Sequence, residues 1–181
     1  MMKIPKKYTC YFHHLKPGER VTLSDEQTKL YIKSDGELYY VDVDRGVVQN
    51  TRDSIKKCDF LCYKEQEKLC HLIELKGAIV QEAPKQIRAT IKNIKENGEL
   101  AFLVTGLRRL DAYIVSPGRQ EIPRGIDEIK RQVTRELASH CSGQVENIDS
   151  LLKFVKVVSK QKKLSDINGK ILCSNEAPII F

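Results

Sequence analysis

The spacing of hydrophobic positions changes several times along the 181-residue chain, and each change predicts an element. Leu38-Tyr39-Tyr40-Val41-Asp42-Val43 is rich in β-forming residues, opened by the turn Ser34-Asp35-Gly36 and broken by Asp44-Arg45-Gly46. Two more apolar runs, Cys58–Tyr63 and Leu69–Leu75, flank the charged connection Lys64-Glu65-Gln66-Glu67-Lys68, which predicts a hairpin. The spacing then becomes helical: Ile87, Ile91 and Ile94 recur on one face, Pro84 suits a first turn, and Asn97-Gly98 is a C-terminal stop. Leu100–Val104 reads as a buried strand. The order is β-β-β-α-β, with residues 49–57 as a polar, basic loop. Ahead of it, Lys16-Pro17-Gly18 marks a turn and Ser24-Asp25-Glu26-Gln27 is expected to open a short helix through Leu30.

The second half is punctuated by Pro117, Gly118, Pro123 and Gly125. A helix is expected over 126–141, with Ile126, Ile129, Val133 and Leu137 inward, and another over 148–160. The fold class is therefore α/β. The expected division is an N-terminal segment (1–36), a sheet-and-helix core (37–105) and a basic helical extension packed on the core (106–181).

Composition narrows the function classes. The chain is 41% hydrophobic and 30% charged, enough for a packed core. No run of eighteen apolar residues exists, and no apolar segment follows the basic Met1–Lys7, so we expect no membrane span and a cytoplasmic location. Cys58-x3-Cys62 with Cys70-His71 has the wrong spacing for a zinc knuckle. Cys58, Phe60 and Cys62 are expected on one strand face as small core hydrophobes. His13-His14 has no partner at metal spacing.

The candidate chemistry lies in Ile73-Glu74-Leu75-Lys76-Gly77. Alternation puts Glu74 and Lys76 on the same face of a strand, and the hairpin brings the lone acid of the preceding strand, Asp59, beside Glu74. Adjacent carboxylates repel, and a hard divalent cation with oxygen ligands is the natural remedy. A cross-strand ion pair between Asp59 and Lys76 is the plainer alternative.

Asp59, fourteen intervening residues, then Glu74-Leu75-Lys76 resembles the PD-(D/E)xK nuclease superfamily. The resemblance covers about residues 58–105. It implies a restriction-endonuclease-like αβββαβ core with a mixed central sheet, and Mg2+ (Mn2+ substituting) held by Asp59, Glu74 and the Leu75 carbonyl. Lys76 would help activate water, with Gln86 as the polar residue on the following helix. Cys58 stands where many members have proline. The acid often found on a first helix is not assigned, Glu19 and Glu26 being the candidates.

The pair Glu128-x-Lys130 serves as an internal control, because the same spacing on an amphipathic helix makes the side chains diverge. The net charge of +7 favours a polyanionic partner. Residues 106–163 hold twelve Lys/Arg against seven Asp/Glu, and Arg108, Arg109, Arg119 and Arg124 are expected to grip phosphates. The expected activity is a Mg2+-dependent DNA endonuclease or exonuclease of restriction, repair or phage-defence type. The alternative is a catalytically degenerate subunit that binds nucleic acid or a partner protein. A protein partner or a second copy of the chain is left open.

Overall fold

The computed structural model describes residues 2–25, 28–48, 56–76, 80–118, 126–167 and 170–181. A 3-10 turn (Lys6–Tyr11) precedes strands β1 (Phe12–Leu15), β2 (Arg20–Ser24), β3 (Lys29–Lys33) and β4 (Leu38–Asp42). A π-helical turn, Val43–Val47, comes before β5 (Phe60–Lys64), β6 (Leu69–Leu75), helix α1 (Ala83–Glu96), β7 (Arg109–Pro117) and helix α2 (Ile126–Ser139). The chain continues as β8 (Leu152–Val157), β9 (Ser165–Ile167), β10 (Lys170–Cys173) and β11 (Ile179–Ile180).

Eight strands form one mixed sheet in the order β1-β4-β5-β6-β7-β8-β10-β9, and β11-β3-β2 form a second, small sheet. Strands β4, β5 and β6 are an antiparallel meander, and β6, β7, β8 and β10 are mutually parallel. Two crossovers stepping in one direction, β6-α1-β7 and β7-α2-β8, place both helices on one face. Their apolar stripes (Ile87, Ile91 and Ile94 of α1, Val133 and Leu137 of α2) pack with Leu72, Ile114 and Phe154 of the sheet. The opposite face, with Ile73, Leu75, Val115 and Val155, packs on Leu23, Leu30 and Ile32 of the small sheet.

The hairpin β5–β6, helix α1 and helix α2 stand where the pattern predicts them. Three expectations are corrected. The described residues of the expected helix 24–30 belong to strands instead: β2 ends at Ser24 and β3 begins at Lys29, with Leu23 opposite Leu30 and Val21 opposite Ile32. The alternation of those apolar residues is a strand signal that the acidic cap-like Ser24-Asp25 obscured. Leu100–Val104 is not a strand but surrounds the 3-10 turn Ala101–Leu103, burying Leu100, Leu103 and Val104 completely. The strand that follows α1 is β7, beyond residue 105. Finally, 148–160 is a short 3-10 turn (Ile148–Leu151) followed by β8. Because β8 is covered on both faces, its apolar residues show no alternation and mimic helical spacing. Residues 106–181 are therefore not a helical extension; among the described residues they supply four strands of the main sheet and one α-helix. The loop reading of residues 49–57 falls largely outside the described residues.

Candidate active site

The register of the hairpin builds the site. Phe60 lies opposite Ile73 and Leu61 opposite Leu72, so one further step sets Asp59, just before β5, opposite Glu74. The Asp59 carboxylate accepts a hydrogen bond from the Leu75 backbone N–H at 2.7 Å, closing the end of the hairpin. The segment leading into β5 is stapled to α1. Thr90 Oγ1 accepts from the Cys58 N–H at 2.7 Å and donates to the Gln86 carbonyl one turn earlier. The Gln86 amide in turn approaches the Lys57 carbonyl. These bonds fix where Asp59 sits and hold Gln86, 4% exposed, under the carboxylates.

Glu74 is 2% exposed, and one of its oxygens, Oε1, pairs with Lys76 Nζ at 2.8 Å. The other, Oε2, is buried with no hydrogen-bond partner among the described residues, as is Gln86 Oε1. Buried polar atoms are nearly always satisfied, so an orphaned carboxylate oxygen is a notable departure. Burial, followed by the charge of Asp59, pushes the Glu74 carboxyl up to about 8 against the pull of Lys76 and Gln86. Burial likewise raises Asp59 to about 6, opposed by the Leu75 N–H and reinforced by the charges of Asp25 and Asp44. The alternative Asp59–Lys76 ion pair is not what forms: Lys76, just past the end of β6, pairs with Glu74.

Asp59 opens onto a cleft of about 250 Å³ that also collects Asp25, Asp42, Asp44 and Arg45. Asp44 accepts from the Lys57 N–H, and Asp42 meets His13 Nε2 at 3.1 Å. Sequence reasoning missed these acids. Asp42-x-Asp44, at the end of the strand beside β5, repeats the acid-x-charged spacing of Glu74-x-Lys76 and was the available signal. Asp25 was hidden by the mistaken helix. Of the two acids proposed for a first helix, Glu19 lies in an exposed turn and accepts from the Lys16 N–H, while Glu26 lies outside the described residues.

The structure does not bring the arginines to this site. Because β6 and β7 run parallel with Leu69 beside Arg109 and Leu75 beside Val115, Arg108 and Arg109 stand at the opposite end of the sheet. Six residues of strand separate the two ends, roughly 20 Å. Arg109 is spent on Asp111 and Ser150, and Arg108 faces Glu67. Arg119 and Arg124 lie outside the described residues. Glu128 pairs with Arg131 along α2, far from any carboxylate partner of Glu74's kind. Cys58, Cys62 and Cys70 are fully buried free thiols. Cys58 and Cys62 do not share a face as expected; they join opposite core clusters because Cys58 precedes the strand.

Among the described residues, no three His, Cys, Asp or Glu side chains gather as a ready-made metal cage. The oxygen-only pair Asp59–Glu74, with its orphaned Oε2, nevertheless suits a cation that keeps most of its own water. No helix among the described residues is long and apolar enough to cross a membrane. No family model, curated protein or solved structure matches the chain.

Proposed function

We propose that the chain is a Mg2+-dependent phosphodiesterase of nucleic acid, cutting DNA in a restriction, repair or phage-defence setting. The observation that carries the reading is the pairing of Asp59 with Glu74, whose Oε2 is buried and unsatisfied beside a lysine. A carboxylate in that position is uncomfortable without a cation, which is the condition a divalent-metal site relieves. The element order β4-β5-β6-α1-β7, with the first acid entering β5 and Glu-Leu-Lys closing β6, supports the resemblance to the PD-(D/E)xK nucleases.

Asp59, Glu74 and the Leu75 carbonyl would hold the ion. When bound, a divalent cation supplies a nucleophile at neutral pH and offsets charge on a phosphoryl oxygen. The chain's own residues do the remainder. The Leu75 N–H fixes the Asp59 carboxylate so that its free oxygen faces the cleft. Gln86, locked by α1, holds the floor beneath Glu74. Lys76 neutralises Glu74 in the resting site, and an incoming phosphate gives its ammonium a second anion to stabilise as charge builds. Asp25 and Asp44 deepen the negative potential that draws cations to the cleft.

The test is cleavage of supercoiled plasmid by wild type, Asp59→Asn, Glu74→Gln and Glu128→Gln, each in Mg2+, Mn2+ or EDTA. Cleavage that needs metal, survives Glu128→Gln and is lost in the other two supports the reading. A wild-type protein that binds DNA but cuts no nucleic acid under any metal would replace the enzyme with a nucleic-acid-binding subunit.

A further inference from the structure

Most of the chain's positive excess sits on one strip. Residues 153–170 contain six lysines and a single acid, Asp166, a net of +5 against +7 for the whole chain. The sheet register relates this strip to the site. On the helix-bearing face, Glu74 lies beside Ile114, Ile114 beside Phe154, Phe154 beside Lys170, and Lys170 beside Ile167. The next row runs from Ser116 to Lys156, Leu172 and Ser165, and Lys76 joins its head, donating its N–H to the Val115 carbonyl. Glu74 and Lys170, and likewise Lys76 and Lys156, are thus ordered along shared rows of one face.

At the open end of these rows is a trough of about 490 Å³ lined by Lys156, Lys170, Phe154 and Ile167. Ile167 is 66% exposed. The loop after β8, carrying Lys160, Lys162 and Lys163, rises at the end of the sheet where Glu74 lies. It is held there by Ser174 Oγ, which donates to the Gln161 carbonyl. Among the described residues none of these five lysines is ion-paired, whereas Lys153 meets Asp166.

We infer that this lysine trough is the surface that holds the sugar-phosphate backbone of the polynucleotide whose phosphodiester meets the Asp59–Glu74 pair, an inference that rests on the function proposed above. Two strand spacings separate Lys76 from Lys156 and three separate Glu74 from Lys170, roughly 10 and 14 Å. Successive phosphates of a duplex strand advance about 3.4 Å along its axis. Because the strand also winds around that axis, its phosphates lie farther apart than this rise, and the lysines reach phosphates within the first few steps from the one at Glu74. The occupant is nucleic acid because five lysines of the strip, without ion pairs among the described residues, stand in line with the proposed phosphoester site. The arginines at the far end of the sheet have neither property.

The experiment is fluorescence anisotropy with a fluorescein-labelled DNA duplex and its single strand, in EDTA, across a series of KCl concentrations. For whichever form wild type binds more tightly, Lys156→Glu/Lys170→Glu should weaken binding at least tenfold. It should flatten the slope of log affinity against log salt by about 1.8 on the duplex or about 1.4 on the single strand, two phosphates at about 0.9 or about 0.7 each. Lys156→Gln/Lys170→Gln should flatten it similarly with a smaller loss, and Arg108→Glu should change neither. Unchanged affinity and slope in both lysine variants overturns the inference, as does equal loss in Arg108→Glu, or no binding by wild type at low salt. Plasmid cleavage by wild type and the lysine variants separates the two ideas. Trough-dependent binding with no cleavage by wild type removes the nuclease and keeps the surface. Metal-dependent cleavage with lysine variants that bind and cut as wild type removes the surface and keeps the nuclease.

Discussion

The side chain of Asp59 is bound by the backbone of Leu75, the residue between Glu74 and Lys76. One hydrogen bond thus ties the acid of β5 to the Glu-Leu-Lys segment of β6, and the spacing of the two carboxylates becomes a property of the hairpin rather than of free side chains. Asp59→Asn keeps an oxygen acceptor at that place, whereas Asp59→Ala leaves the Leu75 N–H unpaired. The expected result is that both lose metal-dependent cleavage by a hundredfold or more, while only Asp59→Ala also loses stability, by about 1–3 kcal/mol. Thermal melts beside plasmid cleavage check this; equal stability of the two variants would show that the bond carries no structural weight.

The two carboxyls make a prediction about pH. Glu74 rises from 4.5 to about 8, and Asp59 from 3.8 to about 6, mainly through burial. In these windows the folded protein keeps protons that the unfolded chain has released, so stability falls as pH rises. The contribution is complete below the unfolded values and is lost through pH 6 for Asp59 and pH 8 for Glu74. The melting temperature of metal-free protein should therefore decline from about pH 5 to pH 8. Glu74→Gln should flatten the upper part of that decline. Mg2+ should raise the melting temperature more at pH 8 than at pH 6, because the ion competes with protons for the same oxygens. A metal effect independent of pH would contradict the assignment of these acids as its ligands.

Lys76 has a stability role that can be separated from any catalytic one. It is the only ion-pair partner of Glu74 among the described residues, and its removal leaves a buried carboxylate uncompensated. Lys76→Met should cost about 1–3 kcal/mol at pH 9, where Glu74 is charged, and much less at pH 6, where it holds a proton. Combining it with Glu74→Gln should recover most of the loss. Urea titrations of the single and double variants at both pH values measure the coupling, and additive effects would rule it out.

What could be read from the sequence follows from how each segment is covered. The hairpin and α1 were legible because β5 and β6 are short apolar runs split by a charged turn, and α1 shows one clean stripe. Glu74 and Lys76 were legible because they are charges at the end of a strand that, His71 aside, is otherwise apolar. The strands after residue 105 were not, since β8 is buried on both faces and its Leu152 and Val155, with Val158 just beyond it, fall at helical spacing as readily as at strand spacing. The acids Asp25, Asp42 and Asp44 were missed because each stands at or just beyond the end of a strand, where an aspartate is ordinarily a turn or cap residue. Only the tertiary fold gathers them around Asp59. The arginine cluster failed for a related reason. Adjacency in sequence around a Pro/Gly-rich segment said nothing about the end of β7 on which Arg108 and Arg109 begin.

That misplacement yields the last prediction, which concerns Arg109 and Arg108. Adjacent in sequence and alike in charge, they should differ sharply on substitution. Arg109 Nε donates to Asp111 Oδ1 at 2.6 Å, and its terminal nitrogen reaches both the carbonyl and the hydroxyl of Ser150. Asp111 is only 4% exposed and faces His71 from its other oxygen at 3.4 Å. Arg109→Ala would leave that carboxylate buried without its main partner and unpin the 3-10 turn ahead of β8, a loss of about 1–3 kcal/mol by the usual cost of an unsatisfied buried group. Arg108 is largely exposed and only 4.0 Å from Glu67, a surface pair of the kind that contributes little. Its alanine variant should melt with wild type. Neither substitution should alter DNA affinity measured on the folded protein, because both residues sit a sheet's length from Glu74. If Arg108→Ala weakened DNA binding while leaving the fold intact, the far end of the sheet would be part of the nucleic-acid surface after all, and the site-proximal lysines could not be its sole support.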